Sequence, residues 1–110
     1  MPYVSITGLR LKRFWHSPRF WRHATRSMVQ AKGAPGCRRA DARTINGVHH
    51  TRSLWDSRKD MIAYLRSGAH REAIAIFPAI ATGKVLGFEA EELPDWDEIH
   101  RRWEAEGREV

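Results

Sequence analysis

The chain of 110 residues predicts an α+β fold, a ferredoxin-like βαββαβ sandwich with an added C-terminal helix. Three observations predict it. Asn46-Gly47 separates two strand-like runs, Cys37–Ile45 and Val48–Trp55, and a two-residue type I′ turn needs both central residues at positive φ. Leu54-Trp55-Asp56-Ser57 reads as a strand end entering a helix, because Ser57 and Asp60 form a capping box just before Met61, Ile62, Ala63, Tyr64 and Leu65. The order strand, helix, strand, strand, helix, strand, helix then lays two helices on one face of four antiparallel strands.

Taken in order, residues 3–12 alternate as a strand, with Val4 and Ile6 on one face and Leu9 and Leu11 one step out of phase. A bulge at Gly8 would explain that change. The basic aromatic connector Arg13, Phe14, Trp15 and His16 is expected to seal the end of a core. Ser17-Pro18 supplies an N-cap and a proline at the first helical position. Phe20, Ala24, Met28 and Ala31 then give one apolar stripe, Gly33 stops the helix, and Pro35-Gly36 turns the chain.

Counting outward from Asn46-Gly47 pairs Ile45 with Val48, Thr44 with His49, Arg43 with His50, Asp41 with Arg52 and Ala40 with Ser53. One face carries Ala40, Ala42, Thr44, His49, Thr51, Ser53 and Trp55; the other carries Arg39, Asp41, Arg43, His50, Arg52 and Leu54, with Asp41 and Arg52 as an ion pair. Neither is uniformly apolar, so both stay open as the face that meets the helices. Ser67-Gly68 interrupts the second helix, and Ser67 is expected to cap a further segment with Ala69, His70, Ala73, Ile74 and Phe77 before Pro78 ends it. Residues 84–90 read as the fourth strand, and Asp95 caps a last helix with Trp96, Ile99 and Trp103 on one side, ended by Gly107.

Length fits one domain spanning residues 1–110. The net charge of +6 is uneven, with +10 over residues 1–60 and −4 over residues 61–110. A solvated basic face accounts for the scattered cations more simply than a nucleic-acid footprint, and binding through the basic half is kept as a further alternative. One cysteine, Cys37, excludes an internal disulfide and a multi-cysteine zinc site, and an idle thiol is the expectation. No apolar run spans a bilayer and the first residues lack a secretory pattern, so the expected location is cytoplasmic. Two helices leave one sheet face uncovered, which predicts a homodimer, with Trp96, Ile99 and Trp103 reaching across the partner.

Pro35-Gly36-Cys37, the hairpin, Leu54-Trp55-Asp56-Ser57 and the helix to His70 resemble the antibiotic-biosynthesis-monooxygenase superfamily of dimeric α/β barrels. That resemblance implies a dimeric barrel. It implies function far less, since this superfold hosts monooxygenases, heme-degrading enzymes, isomerases and decarboxylases. The local pattern is similar to the heme-degrading monooxygenases, whose pocket tryptophan falls on Tyr64 and whose heme-ligating histidine falls on Ile74. Their strand asparagine falls near Ser5 or Thr7. Isoleucine cannot ligate iron, so direct heme degradation is disfavoured. His70, one turn before Ile74, resembles the flanked histidine of carotenoid-oxidising heme monooxygenases.

The resemblance implies a small monooxygenase-like enzyme that oxidises an aromatic or polycyclic molecule between sheet and helices. His70 is the candidate base or heme ligand, kept neutral near a helix N-terminus. Trp55 and Tyr64 are the expected aromatic walls, and His49 and Ser53 the polar contacts. A non-catalytic small-molecule or heme-binding dimer is the alternative. His16, His23 and His100 are expected to face solvent, and no closed metal-ligand set can be assembled.

Overall fold

The computed structural model describes residues 1–109, apart from the side chain of Ala69. Strands β1 (Tyr3–Leu11), β2 (Cys37–Ile45), β3 (Val48–Trp55), β4 (Ala81–Glu89) and the short β5 (Arg108–Glu109) form one sheet in the order β2-β3-β1-β4-β5. Every described neighbouring pair is antiparallel. Helices α1 (Ser17–Gly33), α2 (Arg58–Leu65), α3 (Gly68–Ile80) and α4 (Trp96–Glu106) complete the fold. The ferredoxin-like core expected from the sequence is present, and β5 is an addition to it.

The hairpin pairs as counted from the turn, from Ile45 with Val48 to Ala40 with Ser53. Asn46 and Gly47 both have positive φ, 50° and 77°. Beyond Arg39 the register shifts, so that Cys37 rather than Arg38 lies opposite Trp55. The bulge expected at Gly8 is absent: β1 runs in unbroken register against both β3 and β4. Val4, Ile6 and Gly8 therefore share one face, while Tyr3, Ser5, Thr7, Leu9 and Leu11 share the other. The apolar pattern changes phase because β1 serves a different core on each side of the sheet.

The first core belongs to α4. Ile99 and Trp103 pack on Val4, Ile6, Val48 and Leu54, with Leu86, Phe88 and Trp96 around them. Asp95 caps this helix by accepting from the Glu98 N–H at 2.9 Å. The expectation that Trp96, Ile99 and Trp103 cross to a partner is corrected here, since Ile99 and Trp103 are buried within their own chain. Trp103 also donates its indole N–H to the Lys84 carbonyl at 2.9 Å.

His50 is fully buried at this contact. Its Nδ1 lies 3.1 Å from the Thr7 carbonyl, which can only accept, so the proton sits on Nδ1 and Nε2 accepts from His100 Nδ1 at 2.8 Å. His100 in turn reaches Glu104 at 3.6 Å, so it does not face solvent freely as expected. The Asp41–Arg52 pair is present at 3.2 Å, and the Arg52 guanidinium also lies over Trp96, 4.3 Å from the ring centroid. Thus the polar side chains of β3 on this face are used to seat the C-terminal helix.

The opposite face carries α1, α2 and α3. The buried stripe of α1 runs through Phe20, Ser27 and Ala31 rather than through Met28. A 3-10 turn at Phe14–His16 precedes this helix, and Phe14 and Trp15 are exposed instead of sealing a core. Ser57 accepts from the Asp60 N–H at 3.3 Å, as the capping box requires, and Gly36, with φ of 82°, packs directly against the Asp60 side chain. Ser67 does not cap α3; its hydroxyl donates back to the Tyr64 carbonyl, and the Gln30 side chain from α1 accepts from the His70 N–H at 2.9 Å. Pro78 does not end α3 either, because its missing N–H affects only the last turn, and the helix continues to Ile80.

A side chain at Gly8 would enter the Trp103 indole, with a Cβ only 2.4 Å from the ring. Gly8→Val should therefore lower stability by about 1–3 kcal/mol through overpacking. Gly33→Ala, where an added methyl meets nothing, should change it by under about 1 kcal/mol. Urea unfolding midpoints of the two variants check this, and equal midpoints would show that α4 does not depend on Gly8.

Candidate functional site

The helix-covered face is apolar at both ends and polar in the middle. At one end Phe20, Ile80 and Ala81 are buried with Leu9, Leu11, Ala24, Ile76 and Phe77. At the other, Trp55 stacks on Tyr64 with centroids 5.1 Å apart, and the Tyr64 ring lies 4.6 Å from that of His70. Between the ends lie Ser5 and Ser53, paired across β1 and β3, and Thr7 and Thr51, the next pair on the same face. All four are half-buried, where a packed core would carry Val or Ile.

Helix α1 faces this strip with polar groups of its own. His23 and Ser27 follow Phe20 at i+3 and i+7, which puts all three on the stripe that meets the sheet. His23 Nδ1, Ser27 Oγ and His70 Nδ1 are buried and have no hydrogen-bond partner in the protein. Buried polar atoms are nearly always satisfied, so three on the helices that cover this face mark it as suited to a hydrogen-bonding guest or to water. His23, expected to face solvent, is half-buried.

Four of the five site residues expected from the sequence form one connected tier. His70 touches Tyr64, Tyr64 stacks on Trp55, and the Trp55 indole N–H donates to Ser53 Oγ at 2.8 Å. Trp55 is fully buried, so it supports Tyr64 from beneath rather than forming an open wall. Tyr64 is fixed further by donating to the Ser27 carbonyl at 2.9 Å. His49 lies apart, at the Phe20 end. Its ring sits 4.9 Å from Phe20 and 5.0 Å from Trp21, and its Nδ1 is 2.8 Å from Thr44 Oγ1.

Burial sets the proton affinities here. It lowers the pKa of His70 below its ordinary value, with the Leu65 backbone opposing this in part, so the imidazole is neutral near pH 7. Burial also raises Tyr64 well above the usual phenol value, with the nearby Cys37 adding to the shift. Cys37 itself is raised by burial, partly offset by the Arg39 backbone, so its thiol stays protonated and idle. The tier therefore offers a neutral imidazole as proton acceptor beside a phenol that stays protonated and is bonded to the Ser27 carbonyl.

The heme expectation gains no support from these residues: Ile74, where the resemblance places the ligand, has no donor atom, and the His70 ring lies 4.6 Å from that of Tyr64. Two open hollows of about 420 and 450 Å³ lie elsewhere, one lined by Leu65, Arg66, Arg71 and Ile74 and the other by Thr25, Arg26, Val29, Gln30 and Gly68. His70 lines neither. Among the described residues no group of three His, Cys, Asp or Glu side chains converges as a metal site.

No family model matches the chain, and no curated protein matches it in sequence. Solved structures do match. SnoaB, a cofactor-independent oxygenase from Streptomyces nogalater, is 13% identical with a TM-score of 0.68 over 86% of this chain and 98% of its own. A protein proposed as an antibiotic biosynthesis monooxygenase from Nitrosomonas europaea is 15% identical with a TM-score of 0.72 over 82% and 99%. Rv0793 from Mycobacterium tuberculosis is 13% identical with a TM-score of 0.72 over 84% and 99%. The chain thus has the fold of the antibiotic biosynthesis monooxygenases, and at these identities the likeness establishes the fold alone.

Burial also lowers His49 and His50, so three folded-state histidines bind protons more weakly than the ordinary 6.5 of an unfolded chain. Below about pH 6.5 the unfolded chain then holds more protons, so stability falls as pH drops through that window and is greatest above it. Unfolding midpoints at pH 7.5 and pH 5 should show the loss, and it should be smaller in His70→Gln. A midpoint independent of pH would contradict the assigned neutral histidines.

Proposed function

We propose that the chain is a small oxygenase that acts on a hydroxylated aromatic molecule held between the β1–β3 hydroxyl strip and helices α1 and α3. The observation that carries this is the neutral, half-buried His70, whose Nδ1 has no hydrogen-bond partner and whose ring is joined through Tyr64 and Trp55 to Ser53 of the polar strip. SnoaB, a cofactor-independent oxygenase on the same fold, supports the reading. The homodimer implied by the sequence resemblance is part of it.

The residues supply binding and a base. A flat, hydroxyl-bearing ring system would meet Tyr64 and hydrogen-bond to Ser5, Thr7, Thr51 and Ser53, which fixes its orientation. His70 takes a proton from a methylene activated by the flanking aromatic rings. The carbanion supplies the electrons that reduce dioxygen. One oxygen atom remains as the new carbonyl, and the other leaves as water with the two hydrogens of the methylene. Burial among Trp55, Tyr64 and the helices keeps the imidazole unprotonated for this step.

Dioxygen consumption with dihydroxyanthrone as probe tests the proposal. Wild-type protein should consume oxygen and form the anthraquinone, and His70→Ala should lower kcat by about 10²-fold or more. Because the base must be neutral, kcat/KM should rise with pH, with a midpoint below the ordinary 6.5 of a free imidazole. Quenching of Trp fluorescence by the probe without oxygen uptake would instead indicate a binding module. A scattering mass of two chains checks the dimer.

A further inference from the structure

The end of the molecule where β1 runs into α1 is built unlike the rest of its surface. Phe14 is 84% exposed and Trp15 is 61% exposed on the 3-10 turn, and Trp21 on the next helix is 43% exposed. Phe14 and Trp15 meet each other edge to face at 5.3 Å and 77°. Single exposed apolar residues are ordinary, but Phe14 and Trp15 touch each other and form an exposed aromatic pair that water disfavours, while Trp21 packs on Phe20 and His49 further along.

The segment that carries this pair is cationic. Lys12, Arg13, Arg19 and Arg22 lie beside the pair in sequence, and none of them forms an ion pair among the described residues. Lys12 and Arg13 donate to the backbone carbonyls of Pro78 and Lys12, which leaves their charge uncompensated. The first forty residues hold nine Lys and Arg and no Asp or Glu. The segment that abuts the tip from the other side, residues 73–88 with Lys12 N–H bonded to the Ile80 carbonyl, holds no acid either.

We propose that this tip docks the protein on an anionic lipid bilayer, with Phe14 and Trp15 at the boundary between headgroups and acyl chains. Lys12, Arg13, Arg19 and Arg22 then lie at the level of the lipid phosphates. The Trp15 indole seeks that boundary because it is apolar with a polar N–H, the Phe14 ring gains by entering the acyl side, and basic residues gain from the negative surface potential. A symmetric contact with a second copy is opposed by charge, since it would bring two such cationic rings together. A nucleic acid is favoured less, because single-strand binding lays separate aromatic faces along a groove, whereas these two rings are locked on one another at an exposed turn.

Sedimentation with vesicles tests the assignment. The full chain should bind vesicles containing phosphatidylglycerol and not those of phosphatidylcholine alone, and binding should fall as salt rises. Phe14→Ser/Trp15→Ser should weaken it about tenfold with no change in the unfolding midpoint, since neither ring belongs to a core. Arg13→Glu/Arg19→Glu should abolish it. The proposal is overturned if phosphatidylglycerol vesicles are not bound, or if the aromatic variant binds them as well as wild type, which would leave only diffuse charge. It is equally overturned if vesicles fail and a single-stranded oligonucleotide binds through Phe14 and Trp15, or if the aromatic variant merely converts a two-chain mass into one.

Discussion

The unbroken pairing of β1 with β3 is the constraint on which the structure turns. Because successive residues of a strand point to opposite faces, one register of this central ladder fixes two different interiors. Val4 and Ile6 with Val48 and Leu54 make the apolar seat of α4, and Ser5 and Thr7 with Thr51 and Ser53 make the polar strip under α1. A slip of one residue would exchange them. The hydroxyls would then face Ile99 and Trp103, and the candidate site would be filled with aliphatic side chains.

Local signals carried much of the fold. Asn46-Gly47 set the hairpin register, and the caps at Ser57 and Asp95 set the starts of α2 and α4, because each depends on neighbours a few residues away. The errors arose where the deciding partner was distant in sequence. Gly8 looked like a bulge because the Trp103 ring that occupies its missing side chain comes 95 positions later. Ser67 looks like a cap because nothing nearby announces that Gln30 takes the His70 N–H.

The candidate site was legible to a similar degree. The Trp55-to-His70 stretch places Trp55, Tyr64 and His70 on connected elements, and they meet in the fold. His49 shares a sheet face with Ser53 and Trp55 but sits two strand steps along, and Phe20 and Trp21 hold it there. His23 and Ser27 were missed. Ser27 replaces Met28 on the buried stripe of α1, and a serine in that position gives no periodic apolar signal. Likewise, the charge-rich connector before α1 gave no sign that its aromatic side chains turn outward, since exposure depends on how far the sheet extends beneath them.

The clamp made by Gln30 has a consequence for how this chain can vary. Its amide nitrogen donates to the Ser67 carbonyl at 2.8 Å while its oxygen holds the His70 N–H, so the position of the imidazole is set from another helix. Gly68 lies directly under that amide, and a Cβ there would come within 2.9 Å of the Gln30 oxygen. Position 68 is thus held to glycine twice over: the amide of Gln30 fills the space a side chain would need, and a backbone φ of 54° would strain that side chain even in descendants that lose the amide.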